Sequence, residues 1–230
     1  MYELSARSIS RLKGVDDALV AMDRGGCVRA LAILDQVAAE IPDDAAVHWL
    51  RAKALIDLDR SEESLSEAKL AAQLDPGSPD AHFLLGCSAW QIGQDSLAEH
   101  SFLTAVRLAE RDADIQAGYA GFLADQRDPH QAESVARRAI ELDPDSSTAW
   151  AALAVAQSRL GRHDDAITSC RKSVQCDPED LEAKALLELL PKQSTSAVDN
   201  SSDNSTPGGK TIISSADGST WSKLSTIDNS

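Results

Sequence analysis

The sequence predicts an all-α fold built from repeated helix pairs, and three observations carry that prediction. First, a period of 34 residues runs through it: Pro42, Pro76, Glu110, Pro144 and Pro178 follow one another at that spacing. Second, small residues recur at fixed places within the period. In windows 11–44, 45–78, 79–112, 113–146 and 147–180 the eighth place holds Ala18, Ala52, Gly86, Ala120 and Ala154. The twentieth place holds Ala30, Ser64, Ala98, Ala132 and Ala166, and the twenty-seventh Val37, Ala71, Ala105, Ala139 and Ser173. Two helices joined by a short turn approach closely only where the crossing residues are small. Third, alanine is abundant while aromatic residues make up only 4% of the chain, which suits closely packed helices better than a sheet core.

Residues 1–10 read as an N-terminal extension or cap. Each window then reads as two helices. In the fifth, one covers about residues 147–160 and the second about 164–175. Gly161 follows the first helix, where a left-handed C-terminal cap is wanted, and Gly93 and Gly25 hold the same place in the third and first windows. The fourth window has Arg127 there, followed by Asp128-Pro129, a good N-cap and first-turn pair. Asp75-Pro76, Asp143-Pro144 and Asp177-Pro178 stop the second helices.

The motif of window five (Trp150, Leu153, Ala154, Gly161, Ala166, Pro178) resembles the tetratricopeptide repeat family, and the likeness covers residues 11–180 without an insertion. Windows one and two depart from it, with Asp17 and Arg51 at the seventh place where the later windows hold Leu85, Tyr119 and Leu153. Gly14 also blurs the start of the first window. The expected architecture is a right-handed superhelical solenoid of about five antiparallel helix pairs. A capping helix is expected over 181–190, closed by Pro191, with Glu188 at its eighth place because nothing packs there. Of the 37 residues in 194–230, 16 are Ser or Thr, so residues 191–230 read as a disordered tail that cannot bury enough apolar surface to offset its entropy.

Stacked repeats have no enclosed pocket; they offer a groove for an extended segment or a helix. The second, fifth, ninth, twelfth and thirteenth places of each window share one helix face, away from the small eighth places. The resemblance implies that this face is the concave one. The candidate groove residues are Trp49, Lys53, Ile56, Asp80, Phe83, Cys87, Trp90, Asp114 and Arg159. Trp49, Phe83 and Trp90 would form an aromatic cluster, with Asp57, Asp80, Asp114 and Asp125 adding negative charge near its edge. The competing reading is that these aromatics pack on neighbouring helices. Members of the family that grip a C-terminal carboxylate use Lys and Asn on that face. Here Lys53 and Arg159 are the basic residues at those places and no Asn joins them, so that ligand is not expected.

The expected function is a non-enzymatic adaptor or assembly scaffold holding an apolar and basic peptide or helix. The alternative is a dedicated chaperone shielding an exported or aggregation-prone client. The charge of −15 disfavours nucleic acid and anionic membrane as partners. No nucleophile–base pair, metal cluster or complete phosphate loop is visible, so no catalytic residue, cofactor or metal is expected. Pro207-Gly208-Gly209-Lys210-Thr211 lacks the upstream glycine of a phosphate loop, and His48 and His82 fill the place of Trp150 as packing residues. Cys27, Cys87, Cys170 and Cys176 form no CxxC pair and read as unpaired thiols of a reducing, cytoplasmic compartment. The first residues show no signal-peptide pattern and no run approaches a membrane span. In the tail, Trp221-Ser222-Lys223-Leu224 has the composition to occupy the groove in cis, or it belongs to a merely solubilising extension.

Overall fold

The computed structural model describes residues 6–126, 128–179 and 181–194. The tail beyond Ser194, and Arg127 at the fourth window's turn, lie outside them. The described residues form eleven α-helices: α1 (Ala6–Asp23), α2 (Cys27–Glu40), α3 (Ala45–Asp57), α4 (Ser61–Leu74), α5 (Pro79–Gln91), α6 (Asp95–Leu108), α7 (Ala113–Asp125), α8 (Pro129–Leu142), α9 (Ser147–Arg159), α10 (His163–Cys176) and α11 (Leu181–Ser194). They fall into two compact units, Met1–Leu108 with α1 to α6 and Ala109–Ser230 with α7 to α11.

Within each unit every helix packs on its chain neighbour. In unit 1, α3 also meets α5, and in unit 2, α7 meets α9. The small places are where the helices touch. The alanines at the eighth, twentieth and twenty-seventh places are all completely buried, and so are Ser64 and Ser173. Ser64 Oγ lies 2.9 Å from the Ala52 carbonyl oxygen and 2.8 Å from Ser88 Oγ, so a buried hydroxyl costs nothing unsatisfied.

The helix ends follow the chemistry read from the sequence. Gly25, Gly93 and Gly161 take φ of +71°, +75° and +74°. The second window fills that place with Asp59, at φ 57°, one of the few side chains that tolerate the left-handed region. Asp128 accepts from the Gln131 N–H, and α4, α8 and α10 end immediately before Asp75, Asp143 and Asp177. In the first four windows the last place is a further helix cap, one that the small-residue pattern alone does not mark. Asp44 accepts from the N–H groups of Ala46 and Val47, Ser78 from Ala81, Asp112 from Asp114 and Ile115, and Ser146 from Ala149. Asp44→Ala is therefore expected to lower stability by about 1 kcal/mol, measured by urea unfolding of the whole chain.

Two boundaries differ from expectation. α1 is continuous from Ala6 to Asp23, so Gly14 sits inside a helix and not at a window's edge. Its value is close approach, since a Cβ there would stand 2.7 Å from Val37 Cγ2 on α2. At the other end α11 runs through Pro191 to Ser194 and does not stop at Leu190.

The fourth place of the later windows has a shared task. Its side chain hydrogen-bonds the carbonyl six residues earlier, across the turn that precedes its helix. His48 Nε2 lies 2.7 Å from the Pro42 oxygen and His82 Nε2 lies 3.1 Å from that of Pro76. Gln116 Nε2 donates to Glu110 over 3.1 Å, and Trp150 Nε1 to Pro144 over 2.8 Å.

Candidate functional site

In unit 1 the first turns of α3 and α5 border a cleft of about 230 Å³ lined by Ala45, Ala46, Trp49, Asp75, Asp80 and Ala81. Trp49 is half-buried, and its indole Nε1 donates to the Asp80 carbonyl oxygen over 3.3 Å, which holds the ring against α5. Lys53 stands one helical turn further along α3, with Nζ 5.6 Å from the centre of that ring. At this distance a cation is attracted to the ring face. Asp75 and Asp80 are exposed on the rim, and Asp75 is fixed by accepting from the Gly77 N–H over 3.2 Å.

The other candidates of unit 1 divide. Phe83 is half-buried, its ring edge-on to Phe102 of α6 at 5.7 Å. Trp90 is only 7% exposed and meets the same ring edge-on at 6.4 Å, while Ile56 and Cys87 are buried as well. This corrects the expectation that Ile56, Cys87 and Trp90 line an open surface. Phe102 gathers Phe83 and Trp90 into the packing between α5 and α6. The room for it comes from Gly86, where a Cβ would be 3.1 Å from three Phe102 ring atoms.

In unit 2, Asp114 is exposed in the first turn of α7, at the place Asp80 holds in α5. Arg159, at the end of α9, pairs with Asp125 at the end of α7 over 3.7 Å. A second cleft runs along α8 beside His130, Glu133, Arg137, Arg138 and Glu141. Its arginines are already engaged, Arg137 with Glu133 at 2.5 Å and Arg138 with Glu141 at 3.3 Å.

The sequence model of the tetratricopeptide repeat matches residues 15–79 and 123–180, more than half of the chain. The chain belongs to the tetratricopeptide repeat family. No curated protein matches it by sequence. Among solved structures it is similar to the thermophilic tetratricopeptide repeat protein TTC0263 of Thermus thermophilus, with a TM-score of 0.70 at 18% identity over 79% of this chain and 99% of that one. It is also similar to YrrB, described as a TPR protein with an unusual peptide-binding site (TM-score 0.58, 18% identity, 82% and 98% covered). MamA of Desulfovibrio magneticus RS-1 is a third likeness (0.61, 18%, 76% and 99%). At these identities the likeness establishes the fold, and with it the solenoid architecture of stacked helix pairs.

Two features of this tetratricopeptide repeat chain escaped the sequence reading. Arg51, which breaks the apolar seventh place, is the hub of a polar network. It pairs with Glu67 of α4 at 2.8 Å and with Asp35 of α2 at 3.0 Å, while Glu67 also meets His48 Nδ1 at 2.7 Å. The signal was present as a charge of opposite sign in each neighbouring helix, but helical spacing alone does not pair residues 16 apart. The second feature concerns the thiols. Burial, then the Asp57 carboxylate 3.6 Å away, pushes the Cys27 thiol up, and burial pushes Cys87 well up and Cys176 up. These shifts run away from the thiolate, the form that attacks or ligates. Among the described residues no group of three or more His, Cys, Asp or Glu is placed to hold a metal, and no helix is long and apolar enough to cross a membrane.

Proposed function

We propose that the chain is a non-enzymatic adaptor that holds a segment of a partner protein, apolar with a basic residue, against the α3–α5 face of unit 1. Tetratricopeptide repeat proteins are generally non-catalytic and serve as protein-binding scaffolds, which supports the class. The observation that carries the reading is the Trp49 cleft, a half-buried indole fixed by the Asp80 carbonyl and flanked by carboxylates. Trp49, Lys53, Asp80 and Phe83 are the proposed contacts in unit 1, with Ile56, Cys87 and Trp90 supporting them from beneath. In unit 2, Asp114 and Arg159 are proposed as further contacts. One anchored apolar side chain contributes about 1.5–3 kcal/mol, so two anchors less ordering costs imply roughly micromolar binding.

The test is recovery of partners from native lysate with the intact chain, Trp49→Ala and the charge reversal Asp80→Arg. Trp49 also packs on the core around Leu50, so far-UV circular dichroism accompanies each variant. A partner held by the intact chain should drop at least about tenfold with both variants while helix content stays constant. Full recovery by both would move attention away from this face.

A further inference from the structure

We infer that the α3–α5 cleft is a subsite for a single arginine side chain of a partner peptide, and that Lys53 competes with that arginine for the Trp49 ring. The assignment rests on the adaptor reading above and adds the chemistry of the ligand.

Size comes first. At about 230 Å³ the cleft is smaller than the range of roughly 300–1,000 Å³ usual for small-molecule sites. Its walls of Ala45, Ala46 and Ala81 are methyl-sized, so it takes one side chain and not a folded element. Its chemistry is a π face with carboxylates beside it. Guanidinium is planar, stacks on an indole and bonds carboxylate in a fork, a pairing that ammonium does not reproduce. The structure already places a cation on this ring, namely Lys53 Nζ at 5.6 Å.

One effect opposes the assignment. The cleft lies at the starts of α3 and α5, and each helix start carries about half a positive charge. Both starts are capped, by Asp44 and Ser78, which accept from their exposed N–H groups. Against two half charges stand three full carboxylates, Asp44, Asp75 and Asp80. Adding the Lys53 ammonium leaves the balance negative, and removing it makes the balance more so. Lys53 is thus a built-in competitor that weakens the site and keeps it selective for a cation able to stack.

The experiment uses the full-length chain and two probes, acetyl-Leu-Arg-Leu-amide and its neutral isostere with citrulline in place of arginine. The readout is the indole N–H resonance of Trp49, assigned by its loss in Trp49→Phe. The arginine peptide should shift it saturably and bind about tenfold more tightly than the citrulline peptide, with the difference shrinking as salt is raised. Asp75→Asn with Asp80→Asn should weaken the arginine peptide about tenfold. Lys53→Gln should tighten it about threefold. Equal binding of the two peptides, or no gain from Lys53→Gln, overturns the assignment. Binding that appears only after truncation at Ser194 assigns the cleft to the chain's own C-terminal segment, which carries Lys210 and Lys223, and overturns a partner's arginine. If neither peptide binds but Trp49→Ala still loses its lysate partner, the arginine subsite falls and the adaptor reading stands. If the peptides bind as expected but lysate recovery is unchanged, the adaptor reading falls alone.

Discussion

Phe102→Ala should lower the unfolding free energy of unit 1 by about 3–5 kcal/mol, among the largest effects of any single change in the chain. Phe102 is completely buried, and Phe83 and Trp90 both stand edge-on to it. Deleting the ring empties the junction of α5 and α6 and leaves two aromatics facing a void. The reciprocal change tests the same contact from the other side. Gly86→Ala adds one methyl group against three ring atoms at 3.1 Å, and overpacking of that kind costs about 1–3 kcal/mol. In a Phe102→Leu background the same methyl has room, so Gly86→Ala should become neutral or stabilising there, because alanine is the better helix former. Urea unfolding of the four chains, with amide exchange followed on α5 and α6, measures the coupling. Additive costs would mean that Gly86 is small for some reason other than Phe102.

The second large effect is expected at Glu67. Its carboxylate serves the ring of His48, which is 4% exposed, and the guanidinium of Arg51, which also holds Asp35 on α2. Glu67→Ala deprives both of a partner in a poorly hydrated place, at about 2–3 kcal/mol. Arg51→Leu should cost less, although it also breaks the network. It replaces the charge with the apolar residue that the third and fifth windows carry at this place, and exchanging a part-buried ion for a well-packed side chain is often neutral. Denaturation midpoints for the two variants decide the matter. A larger loss for Arg51→Leu would show the guanidinium, not the carboxylate, to be the member the network depends on.

What the sequence made legible follows from which contacts are local. The small places were readable because a helix crossing forbids bulk at a fixed offset from each turn, and Ala18, Ala52, Ala120 and Ala154 are indeed completely buried. The helix stops were readable because Asp-Pro and glycine act within a few residues. The fate of Trp90 was not. Periodicity assigned its face, but what covers that face is Phe102, twelve residues on, at a place where the other windows hold Leu34, Ala68, Ala136 and Cys170. In the sequence the compensating Gly86 is only one small residue among the others at the eighth place. Trp49 was assigned to the candidate site by the same rule that placed Trp90 there. Only the structure separates them, since one indole keeps a solvated side beside Asp75 and Asp80 while the other is enclosed.

The turn-spanning bonds from His48, His82, Gln116 and Trp150 bear on how such a chain can vary in length and in letters. Four side chains of three chemical kinds perform one act, so the fourth place demands a reach and a hydrogen to give, not an identity. Spelling there is free within that grammar, which is why the tryptophan signature surfaces in one window alone. Length is another matter. One residue inserted between Pro144 and Trp150 would swing the indole about 100° around its helix axis and off its acceptor. Each turn therefore carries its own ruler, and five windows can keep a common measure of 34 while their wording drifts apart.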